Sequence, residues 1–192
     1  MVVETVQTFA ARAGLYERLI REAWGGLDEP VRSFHARALS SGTFTVRRGG
    51  GRAARLVARL LGLPEAGEAV PLRLTVTPHG GGERWHRTFD GRDFITEQRA
   101  HAGSLLAERT GPFELLFRLD VEGGALAYRQ VGASLGAGGL RVRWPSRLAP
   151  RVEARERADG RGVRVSVRVT APLLGPLIEY EGRVVWEEGE AG

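Results

Sequence analysis

Apolar residues recur at helical spacing through the first third of the chain. One stripe spans residues 15–24 and ends at a Gly-Gly pair, which favours a left-handed helix cap. A second helix is expected after Asp28, which can serve as its N-cap. A third is expected over 52–61, where apolar residues again fall on one side. The pattern predicts a helical N-terminal part over 1–64, interrupted by a short strand at 43–47.

From Val70 onward the apolar period changes from helical spacing to two, which is typical of strands with one buried face. The clearest run is 163–170, where four valines alternate with polar residues. The turn at 78–82 separates two alternating runs and predicts a β-hairpin. The expected strands are 70–77, 84–89, 113–121, 125–131, 140–144, 152–157, 163–170 and 178–186. Most of the links between them are too short for helical crossovers, so antiparallel pairing is expected.

These elements predict one α+β domain over residues 1–192. Two to three N-terminal helices would pack on a strongly curved antiparallel β-sheet or a β-barrel of about eight strands, because a half-buried sheet of this width usually curls or closes. The antiparallel part spans 70–186, and the last residues, 187–192, are expected to form a frayed tail.

Composition narrows the classes of function. All 28 basic residues are arginine, and the net charge of +5 suggests nucleic-acid binding. Few aromatic residues accompany the basic windows, so solvated strand faces are the preferred interpretation and nucleic-acid binding is not expected. Cysteine is absent, which excludes thiolate chemistry and, with no signal-peptide pattern at the start, favours a cytoplasmic protein. No apolar run reaches the roughly 18 residues of a membrane span.

Motifs for cofactors are also missing. The histidines, His35, His79, His86 and His101, do not have the spacing of a metal-binding pair, and His35 is expected to be a hydrogen-bonded core residue. The glycines at 136–139 lack the dinucleotide fingerprint. We therefore expect neither a metal nor a cofactor. The arginine- and glycine-rich turn at 47–52 is expected to be a flexible loop, with anion binding as the alternative.

Arg87 is the most unusual residue, because strand alternation places it on the same inward face as Trp85 and Phe89. A guanidinium in a low-dielectric interior needs a partner, either a carboxylate or an anionic ligand group. The inward-facing candidates for its surroundings are Glu108, Glu156 and Tyr180. Together the six residues predict a small-molecule site with aromatic walls, and a structural ion pair is the alternative.

Ordered segments across nearly the whole chain carry a family resemblance. They are Leu15–Leu19, Val31–His35, Val46–Gly49, Leu60–Pro64, Glu83–Phe89, Glu108–Phe113, Leu148–Pro150, Pro172–Pro176 and Tyr180–Gly182. In this order and spacing, the chain resembles the bacterial domain of unknown function 4166 family, which occurs alone or attached behind saccharopine-dehydrogenase-like reductase modules. The resemblance implies no activity of its own. It implies partnership with a separate reductase, whose lipid-like substrate the domain would hold.

Three functions remain open, and the sequence does not decide whether the chain is an enzyme. The leading hypothesis is a non-catalytic domain that binds an apolar or lipid-like small molecule, with an anionic head near Arg87. The second is a cyclase or isomerase in which Glu108 or Glu156 shuttles a proton. The third is a structural docking partner for a reductase, through an apolar ridge at Leu173, Leu174 and Leu177.

Overall fold

Antiparallel strands make up most of the computed structural model, which describes residues 14–60, 62–137 and 140–186. The strands are β1 (Leu39–Arg48), β2 (Gly67–His79), β3 (Gly82–Phe89), β4 (Arg92–His101), β5 (Leu105–Thr110), β6 (Phe113–Glu122), β7 (Ala125–Ala137), β8 (Leu140–Arg143), β9 (Arg151–Asp159), β10 (Gly162–Ala171) and β11 (Gly175–Val185). The α-helices are α1 (Leu15–Ile20), α2 (Glu29–His35) and α3 (Arg52–Leu60). A 3₁₀ helix, Arg21–Gly26, follows α1 directly.

Ten of these strands close into a barrel. The pairing order is β6-β5-β4-β3-β2-β1-β11-β10-β9-β7, and the pairing of β6 with β7 closes the ring. Strand β8 pairs with β7 and lies outside the ring. The α+β class, the antiparallel pairing and the barrel predicted from the sequence are confirmed.

The predicted number of about eight strands is wrong, and two features explain the difference. Strands β4 and β5 were not predicted, because the inward positions of β4 carry the polar residues Thr96 and Gln98 instead of an apolar alternation. Strand β1, expected to be short, has ten residues and pairs with both β2 and β11. Residues 39–48 therefore belong to the barrel, although they lie inside the part predicted to be mainly helical.

The two ends of the barrel differ. Helices α1 and α2 lie at the end that carries the turns 80–81, 102–104, 123–124 and 160–161, which we call the closed end. There the backbone N–H of Asp28 donates to the carbonyl of Gly124 at 2.9 Å. The buried carboxylate of Glu83 accepts the N–H of Leu15, which has no partner within α1, and the indole N–H of Trp85. These bonds fix the helices to the strands.

Helix α3 lies at the opposite end, which we call the open end. This end also carries the turns 90–91, 111–112 and 172–174 and the segment 144–150. The helix buries the small side chains of Ala54 and Ala58, which allow a close approach to the first residues of β11, and it leaves Leu56 exposed. None of the described helices is long and apolar enough to cross a membrane. The predicted tail at 187–192 lies outside the described residues.

Candidate functional site

The barrel encloses a cavity of about 390 Å³. Its volume falls within the range of about 300–1,000 Å³ that is usual for small-molecule sites. Inward-facing side chains of the strands form the wall, and the buried rings of Tyr16 and Phe34 contribute to its floor at the closed end. At the open end, Leu148 lines the cavity although 56% of its surface is exposed, so the cavity reaches the surface there.

Polarity changes along the axis of this cavity. The part toward the open end is lined mainly by apolar residues, with Thr110 and Ser134 as polar exceptions; the apolar residues are Val57, Leu63, Phe113, Val169, Pro172 and Leu174. Polar side chains lie at mid-height and toward the closed end, where Thr96, Gln98 and Glu156 are all at most 5% exposed. A ligand with one polar end would be oriented by this gradient, with that end toward the closed end.

Arg87 supplies the cation at mid-height. Its guanidinium donates a 2.9 Å hydrogen bond to the Thr96 hydroxyl and lies over the Trp85 ring, with the guanidinium carbon 4.9 Å from the ring centroid. The nearest carboxylate, Glu108, is 3.7 Å away, which is an ion-pair distance but too long for a hydrogen bond. Among the described residues the guanidinium therefore makes one hydrogen bond, and further N–H donors remain.

A chain of hydrogen bonds continues from Glu108 toward the closed end. The Gln98 amide donates to Glu108 Oε1 at 3.2 Å, and the Tyr16 hydroxyl donates to the Gln98 carbonyl oxygen at 2.7 Å. Because β4 and β5 place Gln98 directly opposite Glu108, the strand register brings this pair together. The other oxygen of the carboxylate, Glu108 Oε2, has no hydrogen-bond partner among the described residues.

The same chain ends at a buried carboxylate. Tyr128 donates to Glu156 Oε1 at 2.8 Å, and His35 lies 2.6 Å from Glu156 Oε2. Since a carboxylate oxygen accepts, the Nε2 atom of His35 carries the proton. The Tyr128 hydroxyl also lies 3.2 Å from the Tyr16 oxygen, which is its second and more distant acceptor, and this contact links the two parts of the network. Both oxygens of Glu156 are thus occupied by protein groups.

The tyrosines of this region hold their protons strongly. Burial raises the pKa of Tyr16 well above 10, and the Glu156 and Glu108 carboxylates add to the effect. Burial, followed by the charge of Glu156, raises the pKa of Tyr128 in the same direction. Burial also raises the pKa of Tyr180 to about 12, and the nearby Arg87 cation opposes that rise. All three hydroxyls are neutral donors at physiological pH.

The six residues predicted as site residues from the sequence all line the cavity: Trp85, Arg87, Phe89, Glu108, Glu156 and Tyr180. Glu108 is the acid beside Arg87, whereas Glu156 pairs with His35. Tyr180 packs its ring against Phe44 and Phe89, and its hydroxyl has no hydrogen-bond partner among the described residues. That these residues contact a ligand stays a prediction.

Sequence reasoning missed half of the polar network. Tyr128 lies two residues after Leu126 on the inward face of β7, so strand alternation could have identified it. Thr96 and Gln98 lie on a strand that was not predicted. Tyr16 lies on α1, where it belongs to the apolar stripe, so its ring was assigned to packing and its hydroxyl was not considered.

The structure bears on two other regions that the sequence analysis singled out. The predicted apolar ridge is not continuous, because Leu177 is only 1% exposed and Leu174 lines the cavity, which leaves Leu173 alone on the surface. In the arginine- and glycine-rich turn 47–52, Arg48 donates to the carbonyls of Leu63 and Pro64 and pairs with Glu65. This arginine is therefore used to hold the segment that follows α3.

Comparisons with known proteins add a family but no activity. A family model described as a domain of unknown function, DUF4166, matches residues 27–184. No curated protein sequence matches the chain. Among solved structures, the chain is similar to the crystal structure of a secretary abundant heat soluble (SAHS) protein from Ramazzottius varieornatus. The two share 12% identity, the match covers 77% of this chain and 90% of that chain, and the TM-score is 0.37, too low to bear on function.

Proposed function

The chain belongs to the family of the domain of unknown function DUF4166, and we propose that it binds an apolar, lipid-like small molecule with a carboxylate or other anionic head. One observation carries the proposal. The barrel encloses about 390 Å³ of mainly apolar space, and Arg87 is the one arginine among the described residues that line it, with hydrogen-bond donors left over. A barrel with a purely structural role would fill its interior with closely packed side chains and leave no cavity of this volume.

The head group would lie between Arg87 and Tyr180. The two side chains are close enough for the guanidinium charge to affect the pKa of the phenol, and both keep donors without a protein acceptor among the described residues. A carboxylate bound there would accept charge-assisted hydrogen bonds, which are about twice as strong as neutral ones. At 3.7 Å Glu108 makes no hydrogen bond with the guanidinium, so the N–H groups of Arg87 stay available to the head group. The tail would follow the apolar wall toward the open end.

Binding can be tested in two steps. Purified protein is extracted into organic solvent and the extract is analysed by mass spectrometry for a retained apolar compound. Ligand-free protein is then titrated with a long-chain fatty acid and with the alcohol of the same length. We expect Arg87→Ala to weaken binding of the acid by about 10- to 100-fold, since hydrogen bonds to charged groups contribute about 1.5–3 kcal/mol. It should change binding of the alcohol much less.

Arg84→Ala is the matched control, because Arg84 lies on the same strand as Arg87 but on the outer face, where it pairs with Glu97. This variant should bind the acid with unchanged affinity. Equal affinity of the wild type and Arg87→Ala for the acid would overturn the proposed role of Arg87. No retained compound and no binding of either probe would overturn the proposed function itself.

A second candidate function is proton transfer within the bound molecule, as in a cyclase or isomerase. The observation that favours it is Glu108 Oε2, which accepts no hydrogen bond from the described residues and lies in an apolar cavity, with Arg87 and Tyr180 nearby to stabilise a developing negative charge. The bound compound is incubated with protein in heavy water, and deuterium incorporation is followed by mass spectrometry. Glu108→Gln should abolish exchange and preserve affinity. Absence of deuterium exchange in the wild type would overturn this second candidate function without affecting the binding proposal.

A further inference from the structure

The open end of the barrel carries an unusual share of the exposed apolar surface. Among the described residues ten large apolar side chains are exposed, and six of them lie at this end: Leu56, Leu135, Leu140, Val142, Leu148 and Leu173. Leu173, at the tip of the turn between β10 and β11, is 98% exposed. Its sequence neighbours Pro172 and Leu174 line the cavity, so this apolar surface surrounds the mouth.

The same end is basic. Helix α3 carries three exposed arginines, Arg52, Arg55 and Arg59, and no acidic residue. Arg147 is also exposed in the segment between β8 and β9. None of these four makes an ion pair with the described residues, whereas most arginines of the strands lie within ion-pair distance of a carboxylate. The helices at the closed end mix acidic and basic residues, whereas α3 carries arginines alone, so its positive charge is not offset within the helix.

We infer that the open end docks on an anionic phospholipid bilayer and that the apolar ligand passes between the bilayer and the cavity through the mouth. This inference rests on the proposed function and names the source of its ligand. Arginines near a membrane surface contribute about 1 kcal/mol each by attraction to acidic lipids, and exposed leucines gain by entering the acyl region. An apolar ligand that moves through such a contact does not cross water.

The combination of side chains favours a membrane over a nucleic acid. A nucleic acid would use the arginines, but it would leave six apolar side chains beside phosphates without a favourable contact. Helix α3 offers no aromatic ring for base stacking. Trp144, near the mouth, is stacked on Phe113 with a centroid distance of 5.8 Å and is half-buried.

Co-sedimentation with vesicles of phosphatidylcholine, with and without phosphatidylglycerol, tests the docking. The wild type should bind the anionic vesicles, and raised salt should weaken this binding. Replacing Arg52, Arg55 and Arg59 together by glutamine should lower the partition coefficient by about 100-fold at low salt. The matched control replaces Arg21, Arg118 and Arg157, which are exposed but lie away from the open end, and removes the same charge. It should lose less than about threefold.

Leu173→Asn tests the apolar contribution without a risk to folding, because the side chain is almost fully exposed and asparagine tolerates the positive φ of 67° at this position. It should lower binding to anionic vesicles by about tenfold, the value of burying one leucine. The docking proposal is overturned if the wild-type protein does not bind anionic vesicles. It is also overturned if the triple variant of α3 and the triple control variant bind these vesicles equally. Binding of the wild type to single-stranded DNA that is lost in the α3 variant, with no vesicle binding, would assign the surface to a nucleic acid instead.

The two proposals fail separately. The α3 variant and Leu173→Asn should bind a fatty acid from solution like the wild type, yet extract it from vesicles more slowly. Arg87→Ala should bind vesicles like the wild type and hold less ligand. Vesicle binding without any ligand uptake would contradict the cavity proposal alone, whereas uptake from solution with no vesicle binding would contradict the docking proposal alone.

Discussion

Alkaline titration provides a direct test of the buried network, because all three tyrosines of the chain belong to the cavity region. Tyr16, Tyr128 and Tyr180 each have a pKa above the usual 10 as a result of burial. In the unfolded chain the same phenols lose their protons near pH 10. The folded state therefore retains protons that the unfolded state has lost, and the free energy of unfolding falls as the pH rises above 10.

Tyr180 alone gives a lower limit for this fall in the free energy of unfolding. A rise in its pKa from 10 to about 12 corresponds to about 3 kcal/mol. This contribution is fully present below pH 10 and is lost as the pH rises through 12. Tyr16 and Tyr128 add to the loss in the same direction. A domain with a typical stability of about 5–15 kcal/mol should thus unfold cooperatively in this alkaline range.

Near-ultraviolet absorbance of tyrosinate gives the measurement, with far-ultraviolet circular dichroism recorded on the same samples. In guanidinium the three phenols should titrate together near pH 10. In buffer, the absorbance should stay low at that pH and rise only together with the loss of β-sheet signal. Tyr180→Phe should move the unfolding midpoint to higher pH, because one source of the instability is removed. A phenol that ionises near pH 10 while the β-sheet signal is intact would refute the burial of that tyrosine.

Three further substitutions test packing and the network by denaturant unfolding. Glu156→Gln should lower the free energy of unfolding by about 1–3 kcal/mol because one of its two buried hydrogen bonds is lost, whereas Glu153→Gln on the outer face of the same strand should change it little. Leu173→Gly should raise it by about 0.5–1 kcal/mol, since glycine relieves the positive φ and no buried contact is lost. Gly182→Ala should lower it by about 1–3 kcal/mol, because the new β-carbon would overlap a backbone carbonyl and a ring of the neighbouring strand, while Gly50→Ala meets open space. A stable Gly182→Ala variant would contradict the close approach of these two strands.

The strands that sequence analysis found share one property. In β10 the valines Val163, Val165, Val167 and Val169 alternate with polar residues, so one face is plainly apolar. Strand β3 was found in the same way, and its alternation alone is enough to predict that Arg87 points inward. The barrel followed from the number of such strands and their short links.

The strands that were missed share the opposite property. The inward face of β4 carries Thr96 and Gln98, so its apolar alternation is broken where it contributes to the cavity. On β5, Glu108 breaks the apolar pattern in the same way. Local patterns reveal elements whose interior side chains serve packing, and they fail where interior side chains form a polar network. The pairings of His35 with Glu156 and of Tyr16 with Gln98 join residues 121 and 82 positions apart, which no local pattern contains.

The direction of the polarity gradient connects the two proposals. In a bilayer leaflet, an amphiphile has its head at the surface and its tail in the hydrocarbon. A barrel docked with its open end on that surface meets the head first, so the head enters first and the tail follows. The head then reaches Arg87 and Tyr180 at mid-height, and the tail remains against the apolar residues near the mouth. The ligand therefore reaches its bound orientation by moving straight out of the leaflet, head first. It does not have to turn around inside the closely packed barrel. A fluorophore at the tail end of a bound fatty acid should accordingly be quenched by a soluble quencher, and one beside the carboxylate should be protected.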